Sequence, residues 1–139
     1  PPGRVTIRAD GAVTFTVTVT NLGKVAGDEV VMAYTKPTTP PPTLASTSTP
    51  IEHKRLFGFA RLGNIAPGAS ASHTFTLSAA DLALADKEGV TSLYPGEYAV
   101  IISRGHGVEV MASVTLATAA SDLLTPPEPT VLKHIRKWW

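Results

Sequence analysis

The chain has 139 residues, 43% hydrophobic and 17% charged, which is enough apolar material for one core and excludes a disordered polymer. With 12 Lys+Arg against 11 Asp+Glu the formal net charge is +1, and no basic stripe marks a nucleic-acid surface. The absence of cysteine excludes disulfides, thiolate zinc sites and cysteine nucleophiles, and no apolar run reaches the roughly 20 residues that span a bilayer.

Val5 to Arg8 is a first short strand, and Val13 to Thr20 is the clearest one. Its strict alternation puts Val13, Phe15, Val17 and Val19 on one face and four threonines on the other. Asn21 and Gly23, which tolerate positive φ, end it in a tight connection, and Val30 to Tyr34 follows as the next strand. Lys36 to Pro50 carries five prolines among Thr and Ser, so it is expected to form neither helix nor central strand but a solvated loop insertion, with a binding loop as the alternative. If the protein is secreted, this segment suits O-glycans.

Arg55 to Leu62 is a short apolar strand, Pro67-Gly68 a turn, and Ala71 to Leu77 an alternating strand with Ala71, His73, Phe75 and Leu77 inward. Ser78 to Leu82 fits one helical turn, with Ser78 as N-cap and Asp81 completing the box. Lys87-Glu88-Gly89 turns the chain, Tyr98 to Ile102 is a strand, and Gly105-His106-Gly107 makes a tight hairpin into Val108 to Leu116. In that last strand Val108, Val110, Ala112, Val114 and Leu116 are expected inward. About seven short strands with turn signals between them predict an all-β, immunoglobulin- or fibronectin-like sandwich over residues 1–117. Phe15, Met32, Tyr34, Phe75, Tyr98 and Val100 are the expected inner residues, and Tyr98 after Pro95-Gly96 fits a tyrosine corner. Residues 118–139 are expected to be a linker and a basic, aromatic tail. Its Lys133, Arg136, Lys137, Trp138 and Trp139 suit either docking back onto the parent protein or an interface.

Reactive chemistry is scarce. Asp86-Lys87-Glu88-Gly89 reads as a solvated turn, because calcium takes about six to eight oxygen ligands and the sequence supplies no such set. Asp28-Glu29 is expected to be exposed or capping. His53, His73, His106 and His134 lack metal spacing, and His73 is expected to be packed. No G-x-S-x-G elbow and no N-x-[ST] acceptor occurs. Catalytic, cofactor-binding and metal residues are therefore all expected to be none, and no cofactor is expected.

Three segments in order carry a family resemblance. Val19-Thr20-Asn21-Leu22-Gly23-Lys24-Val25-Ala26-Gly27-Asp28-Glu29-Val30-Val31 is similar to a V-x-N-x-G-x-x-A-G-x-E-V pattern. Pro50-Ile51 through Lys54-Arg55-Leu56-Phe57-Gly58-Phe59, then Ile65-Ala66-Pro67-Gly68, matches a P-x-K-x-L-x-G-F run followed by L-x-P-G. Phe75-Thr76-Leu77-Ser78-Ala79-Ala80-Asp81-Leu82, then Pro95-Gly96-Glu97-Tyr98, matches F-x-L-x-x-x-D-L followed by P-G-x-Y. Together they resemble the fibronectin type III-like C-terminal domain of family 3 glycoside hydrolases, the β-glucosidase and β-xylosidase type. The resemblance implies a non-catalytic, stabilising domain that packs on catalytic domains of the same parent, in an extracellular, secreted protein. The aspartate nucleophile and acid/base of such hydrolases would lie in those other domains.

The chain begins Pro1-Pro2-Gly3 without a signal-peptide pattern, and is expected to be a piece of a longer polypeptide. The rival expectations are a carbohydrate- or protein-binding module, or a structural domain of a catalytically inactive homologue. A homodimer or larger assembly is compatible with any of these, whereas neither a nucleic-acid partner nor a membrane is expected.

Overall fold

The computed structural model describes residues 5–8, 11–117, 130–131 and 135–137. Alternation in β2 (Ala12–Asn21) works as its composition demands. Val13, Phe15, Val17 and Val19 are at most 2% exposed, and the threonines between them face outward. β5 (Ser70–Ser78) pairs with it antiparallel, opposing Phe15 to Phe75 and Val17 to His73. On the outer side of this pair, Thr16–Thr74, Thr18–Ser72 and Thr20–Ser70 join hydroxyl to hydroxyl at 2.7–2.8 Å.

The facing sheet has five strands. β1 (Val5–Ile7) runs parallel to β9 (Val110–Leu116), followed by β8 (Gly96–Ser103), β3 (Gly27–Pro37) and β4 (Arg55–Ile65), all antiparallel. The inner faces of both sheets close on one core that includes Phe15, Val17, Val31, Ala33, Leu77, Tyr98, Val100, Ile102 and Val114. Burying a large aliphatic or aromatic side chain there stabilises the fold by about 1.5–3 kcal/mol each, before conformational entropy is subtracted. Gly58 sits tightly over this core: a Cβ on it would lie 2.9 Å from Phe75 Cδ1. The chain is thus an all-β sandwich, as its strand pattern implied.

Four details depart from expectation. In β3 the inward residues are Val31, Ala33 and Thr35, while Met32 and Tyr34 face out. A run that is apolar at every position carries no phase, so alternation could not assign its faces. β9 starts at Val110, leaving Val108 80% exposed in the hairpin. The segment from Lys36 to Pro50 also contains a helix, α1 (Pro42–Ser46), with Leu44 1% exposed beneath it. Proline is tolerated there because Pro42 occupies the first turn, where its missing N–H costs nothing. Finally, the turn expected at Asp86-Lys87-Glu88-Gly89 is flanked by two short paired strands that the sequence did not mark, β6 (Leu84–Ala85) and β7 (Thr91–Ser92).

Two further short strands, β10 (Thr130–Val131) and β11 (Ile135–Lys137), run parallel to β2 along the edge opposite β5. They supply partners for backbone groups that a bare edge would leave unpaired. Lys133, His134, Trp138 and Trp139 lie outside the described residues. Among the described residues no helix is long and apolar enough to cross a membrane.

Candidate functional site

The polar groups of the sandwich are spent on holding loops. Asn21, fully buried at the end of β2, donates from Nδ2 to the carbonyls of Val25 and Ile65, both at 2.8 Å. Its Oδ1 accepts the Gly23 N–H at 2.8 Å, and its own backbone bonds Ala69 and Gly68. One side chain therefore ties the β2–β3 connection to the β4–β5 connection. Its value is this Asx-type bonding, not left-handed backbone: positive φ in the neighbourhood belongs to Asn64 (50°) and Gly68 (75°).

Asp28 is exposed and holds a backbone N–H, as expected, whereas Glu29 departs from the expectation. Asp28 accepts Arg61 Nε at 2.9 Å and Nη2 at 2.5 Å, and its other oxygen accepts the Asn64 N–H at 2.7 Å. Glu29 is buried and pairs with Arg104 at 3.1 Å, with side-chain exposures of 10% and 7%. Arg104 Nε is buried with no hydrogen-bond partner. The pair clasps the start of β3 to the β8–β9 hairpin, whose Gly105 and Gly107 take φ of 85° and 75°. Nothing in the sequence signals this pair, because its members stand 75 residues apart.

The tyrosine corner is present: the Tyr98 hydroxyl donates to the Tyr94 carbonyl at 2.6 Å. Burial, with Tyr94 adding to it, pushes the Tyr98 pKa up from 10.0 to about 12. The folded protein thus keeps a proton that the unfolded chain sheds, so this stabilisation is complete below pH 10 and is lost as pH rises to about 12. Tyr98→Phe is expected to cost about 1 kcal/mol at neutral pH through the lost hydrogen bond. It should also remove part of the alkaline loss of stability, and urea unfolding of both proteins from neutral to strongly alkaline pH measures the difference. Parallel pH profiles would contradict the corner's role.

The remaining candidates fall into structural positions. The Asp81 carboxylate accepts both the Ser78 N–H and the Ser78 hydroxyl at 2.8 Å, starting a 3₁₀ turn over Ala79–Leu82. Asp86 Oδ1 accepts the N–H groups of Glu88 and Val90 at 3.0 and 2.8 Å, building the hairpin turn that was expected there. The His73 ring meets the Phe75 ring edge-on with centroids 4.6 Å apart, a packed histidine. His53 and His106 are exposed. Among the described residues, no three His, Asp or Glu side chains gather closely enough to hold a metal.

Among the described residues, two surfaces come into question for a ligand. A shallow cleft of about 120 Å³ lies between Pro50, Ile51, Glu52, Arg55, Leu84 and Ala85. That is smaller than the roughly 300–1,000 Å³ of small-molecule sites. Arg55 spans it, bonding the Ala83 carbonyl at 2.6 Å and Glu52 at 2.8 Å, so its polar groups already have partners. The outer face of the five-stranded sheet carries Phe59, 71% exposed and the one exposed Phe, Tyr or Trp among the described residues. Tyr34 beside it is covered by Lys54, whose Nζ stands 4.4 Å over the ring. A row of open aromatic faces for stacking on sugar rings is not formed by the described residues.

Comparison with known proteins agrees with this architecture. A family model described as a fibronectin type III-like domain matches residues 29–105. The chain is 32% identical over 114 residues to a probable exo-1,4-beta-xylosidase (xlnD) of Aspergillus fumigatus, covering 82% of this chain and 14% of that protein. Among solved structures, a GH3 exo-beta-xylosidase (XlnD) in complex with a xylobiose aziridine probe is 29% identical with TM-score 0.62, over 76% of this chain and 13% of that one. A β-glucosidase of Erythrobacter marinus shares the fold at 24% identity and TM-score 0.68, over 82% of this chain and 14% of that one. The chain therefore spans only a small fraction of the length of these relatives. It belongs to the fibronectin type III-like domain family, in the form found within family 3 glycoside hydrolases.

Proposed function

We propose that this chain is a non-catalytic accessory domain of a longer family 3 glycoside hydrolase of the β-xylosidase or β-glucosidase type. The observation that carries the proposal is the 32% identity over 82% of the chain to a xylosidase of which it matches just 14%. The division of labour follows from where the polar groups are used. Asn21, Asp28, Glu29, Asp81 and Asp86 all hold backbone or a neighbouring charge. Hydrolysis would take place in the other domains, and this domain would act by packing against them and stabilising them. Carbohydrate polymers do not cross membranes, so an extracellular, secreted parent fits the same proposal.

Removing residues 1–139 from the longer protein tests it. The truncated enzyme is expected to melt at lower temperature and to lose activity faster on warming, while the 139-residue chain alone hydrolyses no xylosyl or glucosyl substrate. Unchanged melting and activity after the deletion would contradict the accessory role.

A further inference from the structure

The two outer faces of the sandwich have opposite chemistry. Behind β2 and β5 stands a double column of hydroxyls that satisfy one another across the strands. The outer face of the five-stranded sheet carries an apolar strip, flanked by Arg61 on one side and Lys36 and Ser113 on the other. Register places Leu56, Tyr34, Ile101 and Met111 in one row across β4, β3, β8 and β9, and Phe59 beside Met32 in the next. Leu56 is 46% exposed, Met111 51% and Phe59 71%, whereas Ile101 between the flanking side chains is only 3% exposed.

This surface is firm and rimmed. The Tyr34 hydroxyl bonds Met32 Sδ at 3.2 Å, Lys54 caps the Tyr34 ring, and Lys54 pairs with Glu109 at 3.4 Å. An apolar centre with a charged rim is the anatomy of a protein interface, and contiguous exposed apolar surface of this kind normally has a partner. The hydroxyl face lacks that chemistry, and the second edge of β2 is already taken by β10 and β11.

We infer that the outer face of the five-stranded sheet is the seat on which this domain docks to the rest of its own polypeptide, with Leu56, Phe59 and Met111 as anchors. The inference rests on the accessory-domain proposal above and adds the face. The relatives that the chain matches extend far beyond it, since it covers 14% of their length. A covalently tethered partner is present at high effective concentration, so an interface of modest size suffices.

The test compares two double substitutions in the longer protein: Phe59→Lys with Met111→Lys on the apolar face, and Ser72→Lys with Thr74→Lys on the hydroxyl face. All four side chains are exposed, so the 139-residue chain alone should keep its urea midpoint with either pair. In the longer protein the apolar-face pair is expected to lower the melting temperature toward that of the domain-deleted enzyme, and the hydroxyl-face pair to leave it in place. Peroxide should oxidise Met111 several-fold more slowly in the longer protein than in the 139-residue chain.

Loss of stability from the hydroxyl-face pair alone would overturn the choice of face while leaving the accessory role standing. Indifference to both pairs and to domain deletion would overturn the accessory role as well. If instead sedimentation shows the 139-residue chain to be a dimer that the apolar-face pair dissociates, with the longer protein indifferent, a second copy covers this face and the inference fails.

Discussion

Asn21→Ala is expected to lower the stability of the 139-residue chain by about 2–4 kcal/mol, because it leaves the buried Ile65 carbonyl, and the part-buried Val25 carbonyl and Gly23 N–H, without their partner. Domains of this kind are stable by about 5–15 kcal/mol in total, so much of the margin disappears. The cost exceeds that of an ordinary hydrogen-bond deletion because three bonds end on one fully buried side chain, and water does not reach the Ile65 carbonyl. Asn21→Asp keeps the shape but sets a carboxylate against two carbonyls. It should be at least as damaging at neutral pH and should partly recover in acid, where the protonated carboxyl can donate one bond. Urea unfolding measures both. A loss below about 1 kcal/mol for the alanine variant would mean that the loops hold together without Asn21.

Breaking the buried Glu29–Arg104 pair is the second large effect. Glu29→Ala should cost about 3–5 kcal/mol, since it leaves the Arg104 guanidinium out of water without its counter-charge, and Arg104→Ala should cost less, since Glu29 still accepts the Val30 N–H. The pair itself contributes much less, because burying both ions is costly and Arg104 Nε finds no partner. The double replacement Glu29→Leu with Arg104→Met should therefore be more stable than either single variant. A double-mutant cycle in urea reads the coupling directly. Additive losses would show that the two groups act independently and that the contact at 3.1 Å does not carry the clasp.

Those two residues also show where sequence reasoning reaches its limit. The alternation of β2 and β5, the tyrosine corner at Tyr98, the box at Ser78 and Asp81, and the Asp86 turn are local patterns, and each stands where the chain implied. The faces of β3 were not legible. Val30, Val31, Met32, Ala33 and Tyr34 are all apolar, so hydrophobicity cannot separate core from surface. That ambiguity hid the apolar outer face, because Met32 and Tyr34 were expected inside. Helix α1 was obscured for another reason: proline excludes a helix interior but suits a first turn, and Leu44 supplied the anchor. Glu29 with Arg104, and Asn21 with Ile65, are meetings of distant segments that only the tertiary fold creates.

Calorimetry tests most directly whether this domain works by packing on its parent. If it does, the region unfolds within a transition of the longer protein that lies above the melting temperature of the 139-residue chain alone. A separate transition at the isolated chain's own temperature would show an uncoupled bead on a linker, and would contradict the account.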